Sequence, residues 1–239
     1  MKRLAIGISF LILMIGSGFE AKGSGSPKSE SPTTALVVLD MQEDFLGEMA
    51  KMPINKEQIP AITAVVNSLI DEFERNGQPI IYIKSEFPKI AIGNRIRHNA
   101  AIVGSQGTNI YSKIRISGNV IFSKKTPDAF SNLEFERYLA ANQVNQLVIT
   151  GVYADHCVLT TTLGALDRKY RVKFVKNGVG SSSEEAVNKA CEKVKKKGAE
   201  VIEYLPGMRI EDLIGCSLFS ATSTRRPHVS CLSSSASFF

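Results

Sequence analysis

The sequence predicts a three-layer α/β fold with a mostly parallel central sheet. Six apolar runs recur along the chain, each with the length and continuity of a strand buried on both faces of a sheet. Helical patterns separate most of these runs, and strands that alternate with helices are typical of parallel sheets. The chain has 239 residues, of which 44% are hydrophobic and 22% charged, so it is long enough for one such domain.

The elements follow in a regular order. Apolar residues between 62 and 73 have the spacing of one helix face, and Asn76-Gly77 predicts its end. Ser131 with Glu134, and later Ser182 with Glu185, have the spacing of capping boxes. Residues 85–118 lack periodicity and predict a long loop region that forms the wall of a pocket. The six predicted strands are 35–40, 79–84, 119–124, 146–152, 171–176 and 199–205.

The two ends of the chain differ in composition from its middle. Residues 1–18 have a cationic start, an apolar run and small residues, which is the pattern of a signal peptide, so we expect an exported protein with no stable membrane anchor after cleavage. Residues 19–34 are rich in Ser, Gly and Pro and predict a flexible lead-in. Residues 35–215 form the predicted domain, and 216–239 a Ser-rich tail predicted to be disordered.

The net charge of +6 does not indicate a nucleic-acid-binding protein. Two of these charges come from residues 1–34 and two from residues 216–239, which leaves +2 for the predicted domain. The densest basic run, 193–197, ends a predicted helix, where cations complement the helix dipole. We therefore expect no nucleic-acid partner.

The four cysteines have different contexts. Cys191 lies on the apolar stripe of a predicted helix, which indicates a buried thiol. Cys216 and Cys231 lie in the tail and are compatible with a disulfide to each other or to another chain. Cys157 stands where a predicted buried strand passes into a helix, in GVYADHCVLTTTLGALDRKYRV.

Three chemically active side chains lie at the ends of predicted strands. Asp40 ends the first strand, Lys124 ends the third, and Cys157 follows the fourth. Carboxyl ends of parallel strands share one rim of the sheet, so we expect the three to converge. The helix after Cys157 is expected to favour its thiolate, a carboxylate can take the thiol proton, and an ammonium can hold both anions.

The same three residues also have ordinary structural interpretations. A cysteine at a helix start is more often structural than catalytic, and a strand-terminal Asp or Lys is often a turn residue or a solvated charge. The spacing alone leaves the catalytic and the structural interpretation open.

Three blocks of the sequence resemble the signature blocks of the isochorismatase-like cysteine hydrolases, which include nicotinamidases, N-carbamoylsarcosine amidases and isochorismatases. They are LDMQEDF, KKTPDAF with LEFERYL, and GVYADHCVLTTTLGALDRKYRV, in the order of the family. The resemblance covers about residues 35–213. It implies a six-stranded parallel sheet with helices on both faces and an Asp–Lys–Cys triad.

Carried over by position, the resemblance assigns Asp40 as general acid/base and Cys157 as nucleophile. Lys124 matches the family lysine by its spacing to Phe130, with Lys125 as the alternative. The resemblance also implies a cis peptide bond between Val152 and Tyr153. The backbone N–H groups of Tyr153 and Cys157 would then form the oxyanion hole.

The expected function is hydrolysis of a C–N bond in a small amide, carbamoyl or ureido compound through a thioester, without a metal or other cofactor. His98 lacks the neighbouring histidines of a nicotinamidase metal site, so nicotinamidase activity is not expected. The alternatives are vinyl-ether hydrolysis of an isochorismate-like molecule, and a catalytically silent binding or oligomer-forming protein. The family resemblance further implies a homo-oligomer.

Overall fold

The computed structural model describes residues 33–214, which contain a six-stranded sheet whose neighbouring strands are all parallel. The strand order is β3-β2-β1-β4-β5-β6. The predicted fold class and the six predicted strands are confirmed. The strands are β1 Thr33–Leu39, β2 Ile80–Ser85, β3 Ile121–Lys124, β4 Val144–Val152, β5 Arg171–Gly180 and β6 Glu200–Ile202.

The last strand is shorter than its apolar run predicts. β6 is an edge strand that pairs with β5 only as far as Ile202. Beyond that point the side-chain amide of Asn177 binds both the N–H and the carbonyl of Tyr204, at 2.9 and 2.7 Å. A side chain therefore replaces the backbone ladder, which apolar content alone does not reveal.

The described region contains six α-helices, of which the first five lie between strands and the sixth follows β6. The helix predicted from its apolar spacing is α2, which ends at Arg75 with Asn76 as its C-cap, immediately before Gly77, as expected. The short helices α1 and α6 were not predicted, because four or five residues are too few for a helical period to show. The helices are α1 Glu43–Leu46, α2 Ile59–Arg75, α3 Leu133–Ala141, α4 Leu159–Asp167, α5 Glu184–Lys196 and α6 Ile210–Ile214.

Both predicted capping boxes are wrong by one residue. The cap of α3 is Asn132, whose side chain accepts from the N–H of Glu134, whereas Ser131 donates to the carbonyl of Asp128. The cap of α5 is Ser183, whose Oγ accepts from the N–H of Ala186. Two adjacent cap-forming residues give the same sequence signal, so the spacing alone could not choose between them.

Alternate residues of β1 point to opposite faces of the sheet and belong to two separate hydrophobic clusters. Ala35, Val37 and Leu39 belong to one cluster and Leu36 and Val38 to the other. The first cluster is completed by residues of α3, α4 and α5, and the second by residues of α2 and α6. This two-sided burial is the three-layer arrangement that the continuous apolar strands predict.

The region between β2 and β3 contains only short 3-10 turns and irregular backbone, as predicted for residues 85–118. No helix in the range 33–214 is long and apolar enough to cross a membrane. The predicted signal peptide 1–18, the tail 216–239, Cys216 and Cys231 lie outside the described residues. The predicted lead-in 19–34 overlaps β1, which begins at Thr33.

Candidate active site

Asp40 follows β1 at the carboxyl rim of the sheet. Its backbone has a φ of 53°, in the left-handed region that aspartate tolerates better than most residues. Its N–H donates to the carbonyl of Ile83 at 2.8 Å, which attaches this turn to β2. The side chain is buried, with 1% of the residue exposed. A buried carboxylate needs a cation or hydrogen-bond donors, and the neighbouring strands supply both.

Lys124 ends β3 and extends its side chain toward Asp40 across β2, which lies between β3 and β1. Its Nζ lies 2.8 Å from Oδ2 of Asp40 and 3.3 Å from Sγ of Cys157. Lys124 is buried, whereas Lys125 is exposed. The structure therefore brings Asp40, Lys124 and Cys157 together, and Lys124 rather than Lys125 contacts the other two side chains.

Cys157 lies in a single turn of π-helix, Ala154–Val158, that continues directly into α4. The turn is closed by the carbonyl of Tyr153, which accepts from the N–H groups of His156 and Val158 at 3.1 Å each. The peptide bond between Val152 and Tyr153 is cis. Cys157 is thus inside the first turn of the helical segment, not ahead of it as its sequence context suggested.

Gly151 permits the close approach of β4 to β1 just before this turn. Its φ is 119°, and a Cβ added here would lie 2.0 Å from the carbonyl oxygen of Leu39. Only glycine combines that backbone conformation with this contact. Leu39 and Gly151 are register partners, so the glycine places the Cys157 turn beside Asp40.

The charge state of the thiol differs from the expectation that the helix start favours a thiolate. Burial, together with the negative charge of Asp40, raises the pKa of Cys157 to about 12, although the ammonium of Lys124 acts in the opposite direction. For Lys124, burial lowers the pKa, but Asp40 and Cys157 outweigh it and the net shift is upward. The resting site therefore contains a neutral thiol beside an ammonium ion.

Oδ2 of Asp40 is a proton acceptor without a hydrogen bond of good geometry from any residue in the described range. It forms an ion pair with Nζ of Lys124, and the Asp40 carboxylate interacts with the thiol of Cys157. The arrangement can therefore transfer a proton from the thiol to the carboxylate while the lysine remains charged.

Sequence reasoning missed two polar residues next to this trio. Ser85, the last residue of β2, bonds to both Asp40 and Lys124 through Oγ, at 3.0 and 2.8 Å. The side chain of Gln42 bonds to both backbone groups of Ser85. The only available signal was the position of Ser85 at a strand end, and a lone serine there is unremarkable.

Aromatic side chains lie beside the turn. The rings of Tyr153 and Phe45 pack edge to face with centroids 5.8 Å apart, and the Tyr153 hydroxyl donates to the carbonyl of Met52. Burial, with a contribution from Cys157, raises the pKa of Tyr153. The Tyr153 side chain is therefore neutral, and its two contacts fix its position near the thiol.

The predicted loop region does line a cavity. Its volume is about 710 Å³, and it lies between α1 and residues 105–112. None of Asp40, Lys124 and Cys157 lines it, so it is separate from the trio. Its lining residues are Glu43, Asp44, Gly47, Met49, Lys51, Ser105, Gln106, Gly107, Asn109, Ile110 and Ser112.

Residues 33–214 contain no group of three His, Cys, Asp or Glu side chains that could hold a metal ion. His98, the histidine considered from the sequence, is exposed and lies in the loop region.

The family model for the isochorismatase domain matches residues 34–204. The secreted isochorismatase effector Isc1 of Verticillium dahliae is 25% identical over 185 residues, which cover 75% of this chain and 90% of that protein. The zinc-bound pyrazinamidase of Pyrococcus horikoshii is 26% identical, with a TM-score of 0.66 over 72% of this chain and 100% of that one. The N-carbamoylsarcosine amidase of Thermoplasma acidophilum is 25% identical, with a TM-score of 0.64 over 73% and 99%.

Proposed function

Because the chain belongs to the isochorismatase family of hydrolases, we propose that it is a cysteine hydrolase that cleaves a C–N bond of a small amide, carbamoyl or ureido compound. The observation that carries the proposal is the contact of Nζ of Lys124 with both Asp40 and Cys157. The similarity to an N-carbamoylsarcosine amidase supports the substrate class. The His, Cys, Asp and Glu side chains of residues 33–214 do not form a metal site, so the proposed reaction uses only side chains, backbone N–H groups and water.

In the first half of the reaction, Sγ of Cys157 attacks the carbonyl carbon and its proton passes to Oδ2 of Asp40. The carbonyl oxygen becomes an oxyanion, for which the N–H groups of Tyr153 and Cys157 are the proposed donors. The C–N bond then breaks, and Asp40 delivers the proton to the leaving nitrogen. Ammonia or an amine departs and a thioester to Cys157 remains.

In the second half, Asp40 takes a proton from a water molecule whose oxygen attacks the thioester carbonyl. The tetrahedral intermediate collapses with cleavage of the C–S bond, and the acid product leaves. The departing sulfur recovers its proton from Asp40. Lys124 stays charged throughout and stabilises the negative charge as it moves between the carboxylate and the sulfur.

A neutral resting thiol suits this sequence. The raised pKa of Cys157 means that the thiolate forms only as the carboxylate accepts the proton, when a carbonyl group is in place to be attacked. A catalytically silent protein would not require these three groups to be in contact. The observed contacts therefore support the hydrolase over the silent alternative.

The test compares alanine variants of two cysteines, the half-buried Cys157 and the buried Cys191. Cys157→Ala should reduce ammonia or amine release by at least about a thousandfold on a substrate found by screening small amides and ureides, because the nucleophile is lost. Cys191→Ala is the matched control and should retain activity, since Cys191 lies in the core on α5. Mass spectrometry of acid-quenched enzyme should find the acyl group on the Cys157 peptide. Full activity of Cys157→Ala would contradict the proposal.

Vinyl-ether hydrolysis is the second candidate, and the similarity to a secreted isochorismatase effector favours it. The products separate the two reactions, since cleavage of an isochorismate-like ether releases pyruvate and no ammonia. Pyruvate release that survives Cys157→Ala would favour this candidate.

We also propose that the protein is exported and forms a homo-oligomer. The signal-peptide pattern of residues 1–18 and the secreted relatives in Verticillium dahliae and Phytophthora sojae support export. N-terminal sequencing of protein recovered outside the cell would locate the cleavage. Light scattering of the purified protein would give the number of subunits.

A further inference from the structure

The hydroxyl of Ser85 lies between the carboxylate and the ammonium of the candidate active site. Its Oγ is 3.0 Å from Oδ1 of Asp40 and 2.8 Å from Nζ of Lys124. Ser85 is 1% exposed, and it faces Lys124 directly in the β2–β3 register.

Counting hydrogens fixes the direction of these bonds. An ammonium group has three N–H donors and no acceptor. Nζ of Lys124 donates to Oγ of Ser85 and to Sγ of Cys157, and it forms an ion pair with Oδ2 of Asp40. Because Oγ accepts from Nζ, the hydroxyl proton of Ser85 is donated to Oδ1 of Asp40. Oδ1 is therefore bound by Ser85, and Oδ2 is the oxygen left for the thiol proton.

The backbone of Ser85 is held as firmly as its side chain. Its N–H donates to Oε1 of Gln42 at 2.7 Å, and its carbonyl accepts from Nε2 of Gln42 at 2.9 Å. The second N–H of that amide donates to the carbonyl of Thr108 at 3.0 Å. Gln42 is fully buried, two residues after Asp40. The serine is thus locked to the same turn that carries the carboxylate.

We propose that Ser85 is a positioning residue for the hydrolysis, which holds Asp40 with Oδ2 toward the thiol and keeps Lys124 within reach of Cys157. This inference rests on the proposed function. Without the hydroxyl, Oδ1 of Asp40 loses its hydrogen-bond donor, and Nζ of Lys124 loses one of its acceptors. The ammonium then moves toward Oδ1 and away from Sγ, so that proton transfer and thiolate stabilisation both weaken.

The kinetic test uses three variants. Ser85→Ala should lower kcat about 10- to 100-fold, the usual effect of losing a hydrogen bond to a charged group, with KM changed by less than about twofold. Ser85→Thr keeps the hydroxyl and should stay within about threefold of the wild-type kcat. Ser123→Ala is the matched control, since it removes a hydroxyl from the neighbouring strand that bonds to Glu86 instead. Its kcat should be unchanged.

A second readout needs no substrate. Iodoacetamide should alkylate Cys157 about 10-fold more slowly in Ser85→Ala than in wild type, while the rate at Cys191 in the same molecules is unchanged. If Ser85→Ala does not fold, Ser85→Cys keeps nearly the same volume with a weak hydrogen-bonding group and should show the same losses to a smaller degree.

The two readouts separate the failure of this inference from that of the proposed function. Wild-type rates of Cys157 alkylation in Ser85→Ala, or equal losses of kcat in Ser85→Ala and Ser85→Thr, would overturn the positioning role. Slower alkylation in Ser85→Ala with no C–N hydrolysis by the wild type would support the role of Ser85 and contradict the proposed reaction.

Discussion

Cys157 carries its proton in the resting protein because burial and the carboxylate of Asp40 together outweigh the ammonium of Lys124. Many cysteine nucleophiles are activated in advance by a cationic neighbour that lowers the thiol pKa. Here the cation is already paired with a carboxylate, so its effect on the sulfur is partly cancelled. In the proposed reaction, the thiolate is formed by proton transfer to Asp40 as the carbonyl group is attacked.

Two substitutions should move the titration of Cys157 in opposite directions. Asp40→Asn removes a negative charge and should shift the alkylation midpoint from about 12 to a lower pH. Lys124→Met removes the stabilising positive charge and should slow alkylation at every accessible pH. Rates at Cys157 between neutral and strongly alkaline pH, measured by peptide mass spectrometry with iodoacetamide, would test both.

Lys125→Met is the matched control for the lysine. It removes the same charge one residue away, from an exposed side chain, and should leave the Cys157 midpoint in place. Equal shifts in the two lysine variants, or no shift in Asp40→Asn, would show that the contact between the three side chains does not control the thiol.

Strand ends explain why these three residues could be predicted and Ser85 could not. Asp40, Lys124 and Cys157 combine reactive chemistry with the ends of strongly apolar runs, so the geometry of a parallel sheet brings them together. Ser85 has the same position, but its side chain becomes informative only when its two partners are known. Gln42 is a similar case, because a buried amide is recognised by its hydrogen bonds.

At the scale of elements, helix starts show the limit of local spacing. The sequence offers Ser182 and Ser183 as adjacent caps for α5, and the structure uses Ser183. Ser183→Ala should lower the free energy of unfolding by about 1 kcal/mol, because the N–H of Ala186 loses its acceptor. Ser182→Ala, at an exposed neighbour, should change it by less than about 0.5 kcal/mol. Urea unfolding of both variants checks the difference, and equal effects would contradict the assignment.

The pairing of β1 with β4 depends on one glycine. Gly151→Ala combines an unfavourable φ with a Cβ that meets the carbonyl of Leu39, so it should destabilise the fold by about 3 kcal/mol or more. Gly198→Ala is the matched control, since its φ of 105° is also positive but no atom lies within 4 Å of the added Cβ. It should cost about 1–2 kcal/mol. Urea unfolding measures both, and similar losses would show that the close contact is unimportant.

At the scale of the whole molecule, the sequence predicted the number of layers but not the order of the strands within the sheet. Continuous apolar strands such as β1 and β4 must be covered on both faces, which determines three layers. The strand order β3-β2-β1-β4-β5-β6 depends on crossover connections between distant segments, and it was not predicted from the sequence. The end of β6 was mispredicted because a side-chain amide, Asn177, competes with the backbone ladder.

The high pKa of Cys157 also affects how fast this thiol is oxidised. Peroxides oxidise thiolates, and a thiol becomes a sulfenic acid in proportion to its thiolate fraction. If Cys157 is the nucleophile, as proposed, a thiol that keeps its proton until a carbonyl group is bound reacts slowly with peroxide between turnovers. Such a cysteine can remain reduced in an oxidising medium, where a permanently ionised one would be consumed.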